Sequence, residues 1–199
     1  TAQDIGRGEI QDTYRGWVLT IDRNLSGEET ARMIPFQDQG EASALPLEGV
    51  GFDTQSTLRA VSDQRALLEL KQVGLCNDEN VQYTVETRLI SFEDETNRVI
   101  KDGENPHRVY LAGASNVAAV LSTDRCGRLT GRGSLRPLSG DLQPLPEVIN
   151  GQLRAAAVSA GGGYLALAGA DQIWLYDLRE GSFQEIYNGG GVSPWLLFR

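Results

Sequence analysis

The stretch from Arg154 to Gly190 constrains the fold most, because it consists of short apolar runs cut at regular intervals by turn residues. It opens with Ala156-Ala157-Val158-Ser159 and turns at Gly161-Gly162-Gly163. Tyr164-Leu165-Ala166-Leu167-Ala168 follows, then Ala170-Asp171, then Gln172-Ile173-Trp174-Leu175-Tyr176-Asp177. A further turn at Leu178-Arg179-Glu180-Gly181 leads into Ser182-Phe183-Gln184-Glu185-Ile186-Tyr187. Runs of this length, rich in aromatic and branched residues and bounded by Gly, Asp and Ser, are strand signals. The spacing predicts four strands in antiparallel meander order with three tight turns.

Helical periodicity is nearly absent from the rest of the chain. The best candidate, Arg59 to Val73, has its apolar stripe broken by Ser62-Asp63-Gln64-Arg65 and reads as two strands around a turn. Further strands are expected at Trp17 to Asp22, Val81 to Phe92 and Val117 to Leu121, and many of the 23 glycines fall between such runs. The chain is therefore expected to be all-β, as a sandwich, a barrel or a propeller.

Two elements recur. An opening element appears as Ala60-Val61-Ser62, Gly113-Ala114-Ser115, Ala157-Val158-Ser159 and Gly191-Val192-Ser193. A closing hairpin appears at Trp17 to Ile34 around Asn24 and Gly27, and at Arg88 to Ile100 around Asp94 and Asn97. It appears again at Ser134 to Leu145 around Gly140, and at Ile173 to Ile186 around Gly181.

On these residues, Arg154 to Gly190 resembles one blade of a WD-type propeller, closest to the TolB-like repeats. The correspondence rests on the Ser159-to-Gly163 turn before a strand and on Ile173-Trp174-Leu175-Tyr176-Asp177. It departs from the family at Ser159-Ala160-Gly161-Gly162-Gly163, which stands where the family has Pro-Asp-Gly, and Ser193-Pro194 lacks the Asp-Gly that should follow. The resemblance implies a β-propeller of about four blades at roughly 50 residues each, against the usual ~40–45. A β-sandwich and a fragment of a larger propeller are the alternatives.

The expected organisation is an N-terminal arm over 1–12 and a single propeller-like domain over 13–199. The chain ends after an opening element, Val192 to Phe198, and the Trp17 to Ile34 hairpin is expected to complete the last blade. Trp17, Trp174, Tyr176 and Trp195 are expected to pack between blades. An aromatic side chain of this size contributes a few kcal/mol, at ~25 cal/mol per Å² over ~150–250 Å².

Charge and cysteine usage limit the function classes. There are 18 basic and 27 acidic residues, a formal charge of −9, which repels phosphate backbones and argues against a nucleic-acid partner. No apolar run reaches the ~18 residues of a membrane helix. All basic residues but Lys71 and Lys101 are arginines, and they form no cluster along the sequence that singles out a site. Cys76 and Cys126 are either two free thiols or one disulfide in an oxidising compartment. The first residue is Thr1, so a leader or another leading segment is expected to have been removed.

The only histidine, His107, follows Asn105-Pro106 and is expected on a solvated loop. The triple glycines lack the following helix of a phosphate site and read as turns. The acidic loops at Asn77-Asp78-Glu79-Asn80 and Glu93-Asp94-Glu95 lack the alternating ligands and bend glycine of a calcium loop. No nucleophile elbow, zinc-helix motif or Cys-His pairing is present, so no catalytic, cofactor-binding or metal residues are assigned and no cofactor is expected.

The reading that follows is a non-catalytic module for docking a protein or peptide, with a periplasmic or secreted location favoured. A structural subunit of an envelope or surface assembly is a second reading. A hydrolase acting on a sugar or peptide through paired acidic loop residues is a third.

Overall fold

A computed structural model describes residues 8–36, 41–48, 50, 54–103, 105–111, 115–138, 143–145, 153–159 and 161–189. Among them the chain forms sixteen strands and no helix. The strands fall into four antiparallel sheets, each a meander of four consecutive strands. The first holds β1 (Glu9–Tyr14), β2 (Trp17–Arg23), β3 (Glu29–Pro35) and β4 (Ser43–Leu47). The second holds β5 (Gln55–Ser62), β6 (Arg65–Cys76), β7 (Glu79–Ser91) and β8 (Thr96–Lys101). The third holds β9 (His107–Tyr110), β10 (Val117–Thr123), β11 (Leu129–Pro137) and β12 (Gln143–Pro144). The fourth holds β13 (Ala155–Val158), β14 (Tyr164–Ala168), β15 (Gln172–Asp177) and β16 (Ser182–Asn188).

The fourth sheet is the meander the sequence predicts, with register pairs such as Ala157 to Ala166 and Leu167 to Trp174. The interrupted stripe at 59–73 is also two strands, with Ser62 opposite Arg65 across the turn. In each sheet the second strand is buried on both faces over its apolar run. Examples are Val18 to Ile21 in β2, Ala66 to Leu68 in β6, Ala118 to Leu121 in β10 and Leu165 to Ala168 in β14. A strand covered on both sides needs apolar residues at successive positions rather than alternate ones. The third strand alternates instead where one face is open, as in β3, with Ala31 and Met33 buried and Arg32 exposed.

Two expectations are corrected. Residues 9–12, assigned to an arm, lie in β1, which pairs with β2 from Glu9 opposite Ile21 to Tyr14 opposite Trp17. The Trp17 to Ile34 hairpin is therefore not a closing hairpin. It forms the second and third strands of its own sheet, flanked by β1 and β4, and does not complete the last sheet, which has four strands of its own. The polar sequence of β1 carries no alternation to announce it, so the phase of the first repeat is read one strand late. The Val192 to Phe198 element lies outside the described residues.

The chain divides into two compact units. One comprises 1–72 and 85–102, the other 73–84 and 103–199. The first unit has a core in which Leu19, Ala31, Met33, Leu45 and Leu47 meet Leu58, Ala66, Leu68, Leu70 and Ile90. Trp17 packs against it partly buried. Asp12 supports this unit by accepting the Ala60 N–H at 2.8 Å, which ties β1 to β5.

The second unit has its own core, drawn from its two sheets: Ala119, Leu121, Leu135 and Leu145 with Leu165, Leu167, Trp174 and Tyr176. It also includes the tip of the β6–β7 hairpin. That tip turns at Asn77 and Asp78, both at positive φ (50° and 67°), as a two-residue hairpin turn requires.

Candidate functional site: an arginine-lined groove

The third sheet turns from β10 to β11 through Asp124 to Arg128. Asp124 N–H donates to the Arg128 carbonyl at 2.8 Å, and Gly127 N–H donates to the Asp124 carbonyl at 3.0 Å. The Asp124 carboxylate accepts the Arg128 N–H at 2.9 Å. Gly127 takes φ +75°, a left-handed conformation that suits glycine. The β2–β3 turn is built alike: Asn24 Oδ1 accepts the Glu28 N–H at 2.9 Å and Gly27 has φ 85°. Only the later turn is covalently held. Cys126 is bonded to Cys76 on the β6–β7 tip, with Cα atoms 5.2 Å apart.

Beside this turn lies a groove of about 380 Å³, lined by Arg108, Tyr110, Gly127, Arg128, Leu129, Arg154, Ala155 and Ala156. Each arginine is set on the frame through its backbone. Arg108 pairs with Leu121 in the β9–β10 ladder, and Arg154 N–H donates to the Ala168 carbonyl at 2.8 Å. Arg128 is fixed by the Asp124 bonds. The Arg108 guanidinium lies over Gly127, 3.4 Å from where a Cβ on that residue would stand. No carboxylate lines the groove, and among the described residues none of the three guanidiniums is in an ion pair. Three arginines therefore line one concavity in a chain of net charge −9.

The sequence does not single out these arginines, because 108, 128 and 154 are far apart along the chain. Strand pairing and a turn bring them together. The expectation for His107 is corrected: it opens β9 and is 2% exposed, with Nδ1 3.2 Å from the Asn105 carbonyl, rather than solvated.

A second groove, of about 320 Å³, is lined by Ser115, Asn116, Val117, Gly161, Gly162, Leu178 and Arg179. Among the described residues that line the two grooves there is no carboxylate, and so no pair of acids of the glycosidase type. Gly161-Gly162-Gly163 forms the β13–β14 turn, with Gly162 N–H donating to the Ser159 carbonyl at 2.8 Å. Of the acidic segments, Asn77 and Asp78 form a turn while Glu79 and Asn80 open β7, and 93–95 form a turn in which the Asp94 carboxylate accepts the Ser91 hydroxyl at 2.9 Å.

Trp174 and Tyr176 are buried in the second core, where Tyr176 stacks on Phe183 with centroids 4.2 Å apart. Burial, and then the Asp177 charge, push the Tyr176 phenol above its ordinary value. Trp195 lies outside the described residues.

No protein-family model matches the chain, and no curated protein matches it. Among solved structures it is similar to the crystal structure of TolB from Acinetobacter baumannii, at 11% sequence identity and a TM-score of 0.39. The likeness covers 87% of this chain and 41% of that one, so the chain spans about two fifths of that protein's length. A likeness of this degree carries no argument about fold or function.

Proposed function

We propose that the chain is a non-catalytic module that docks a protein or peptide outside the cytoplasm, on sheets of propeller-blade type. The observation that carries this reading is the arginine-lined groove. Charged donors are held there on paired strands and a disulfide-pinned turn, and no carboxylate is among the described residues that line the groove. Rigid presentation of polar groups at strand ends and turns suits recognition. The Cys76–Cys126 bond supports an oxidising compartment. No helix among the described residues is long and apolar enough to cross a membrane.

Photo-cross-linking in the native host, from reactive groups placed at Tyr110 and Ala155, tests this reading. A discrete adduct with another polypeptide is expected. No adduct from either position, together with turnover of a glycoside or peptide substrate, overturns it.

A further inference from the structure

We infer that Asn24 is the acceptor of an N-linked oligosaccharide, added as the chain enters an oxidising compartment; this rests on the extracytoplasmic placement proposed above and not on the groove. Asn24-Leu25-Ser26 is the one place in the sequence where serine or threonine stands two residues after an asparagine with no proline between. That spacing is the acceptor pattern, and it needs a surface turn with room for a bulky, solvated group. The turn from β2 to β3 is such a place. Asn24, Leu25 and Ser26 are all exposed, and Leu25 is 109% exposed. The Ser26 hydroxyl donates to Asn24 Oδ1 at 2.8 Å, so the carboxamide and the hydroxyl are presented together.

The turn itself does not account for this pair. Asn24 N–H donates to the Glu28 carbonyl and Gly27 N–H to the Asn24 carbonyl, both at 3.0 Å, as Asp124 and Gly127 do in the turn from β10 to β11. In that second turn the capping oxygen belongs to a carboxylate, Asp124, and Cys126 stands where Ser26 does. A side-chain oxygen at the first position is thus enough for the turn; the amide nitrogen and the hydroxyl are additional. In the transfer, one Nδ2–H bond breaks and Nδ2 bonds to the anomeric carbon of an oligosaccharide carried on a lipid diphosphate. The diphosphate leaves with the electron pair of the broken C–O bond, and the proton passes to a base of the transferring enzyme. The product is still an amide. Oδ1 therefore goes on accepting the Glu28 N–H, now at 2.9 Å, and Nδ2 keeps one hydrogen for the Glu28 carboxylate, now at 2.6 Å.

The test is mass spectrometry of the intact chain, isolated from its native host without reductant, before and after treatment with peptide N-glycosidase. A mass above that of the sequence is expected, with the excess on the peptide that holds Asn24. The glycosidase should remove it and leave aspartate at that position. Asn24→Asp and Ser26→Ala, made in the same host, should each lack the added mass, whereas Ser26→Thr should keep it, with far-UV circular dichroism unchanged in all three. An unmodified Asn24 in a chain whose Cys76 and Cys126 are bonded overturns this assignment alone, and so does added mass that persists in Asn24→Asp. Free thiols at both cysteines of an unmodified chain overturn the extracytoplasmic reading together with it.

Discussion

The Ser56 hydroxyl donates to the buried carboxylate of Glu29, joining β5 to β3 beneath the first unit's surface. Glu29 is 3% exposed, and Arg23 also grips it, through Nε at 2.8 Å and through Nη2. A buried carboxylate is tolerable only while such partners remain. Glu29→Ala strands the Ser56 hydroxyl and the Arg23 donors, and should cost about 3 kcal/mol. Ser56→Ala should cost about 1–2 kcal/mol. Urea unfolding of both variants and of the double variant should show less than additive losses, because each removes the same bond.

Removing the cross-link by Cys76→Ser with Cys126→Ser frees a span of 50 residues in the unfolded chain. Loop-closure entropy for a span of that size is worth about 4 kcal/mol. Denaturant midpoints with and without reductant should differ accordingly for the parent and not for the double variant. Reduction should also lower the cross-linking yield from Tyr110 and Ala155, since Gly127 and Arg128 directly follow Cys126 in the turn the bond holds.

Gly127→Ala and Gly161→Ala should behave oppositely although both lie in turns. At Gly127 the backbone is left-handed and the Arg108 guanidinium stands 3.4 Å from the added carbon. A penalty of about 1–2 kcal/mol is expected from the left-handed backbone. At Gly161 nothing lies within 4 Å and the backbone is outside that region. There the change should stay within about 0.5 kcal/mol. Thermal melts of the two variants decide the matter.

Tyr176 gives a pH signature. Its phenol titrates above 10.0 in the folded state because burial, and then Asp177, disfavour the phenolate. The folded state thus holds this proton more tightly than the unfolded one, and the linked stability is intact below pH 10.0. It is lost as pH rises through the higher folded value. Tyr176→Phe should remove that part of the alkaline loss, read as a smaller difference in urea midpoint between pH 9 and pH 11 than the parent shows.

The strand content and the last meander were legible because their apolar runs and glycine turns are local signals. The doubly buried second strands were also written as continuous apolar runs, Val18 to Ile21 and Leu165 to Ala168 among them. The repeat phase was less legible. Short Val-Ser and hairpin matches are weaker markers than those runs, and β1, whose side chains are at most half-buried, leaves no pattern of its own. The groove was illegible for a different reason. Its arginines gain meaning only once β9, β13 and the Asp124 turn are folded, and spacing along a chain does not encode that meeting. The burial of His107 is not legible in the sequence because Asn-Pro marks the turn and not the strand that begins just after it.

Each sheet is assembled from one uninterrupted stretch of chain, and this orders events during synthesis. Hairpins between adjacent segments close early, so the first two meanders have all their strands before residue 126 is made. Cys76 must then wait as a thiol on its hairpin tip until its partner emerges. The arginine-lined groove, whose Arg154 comes later still, is among the last features of the described chain to be completed.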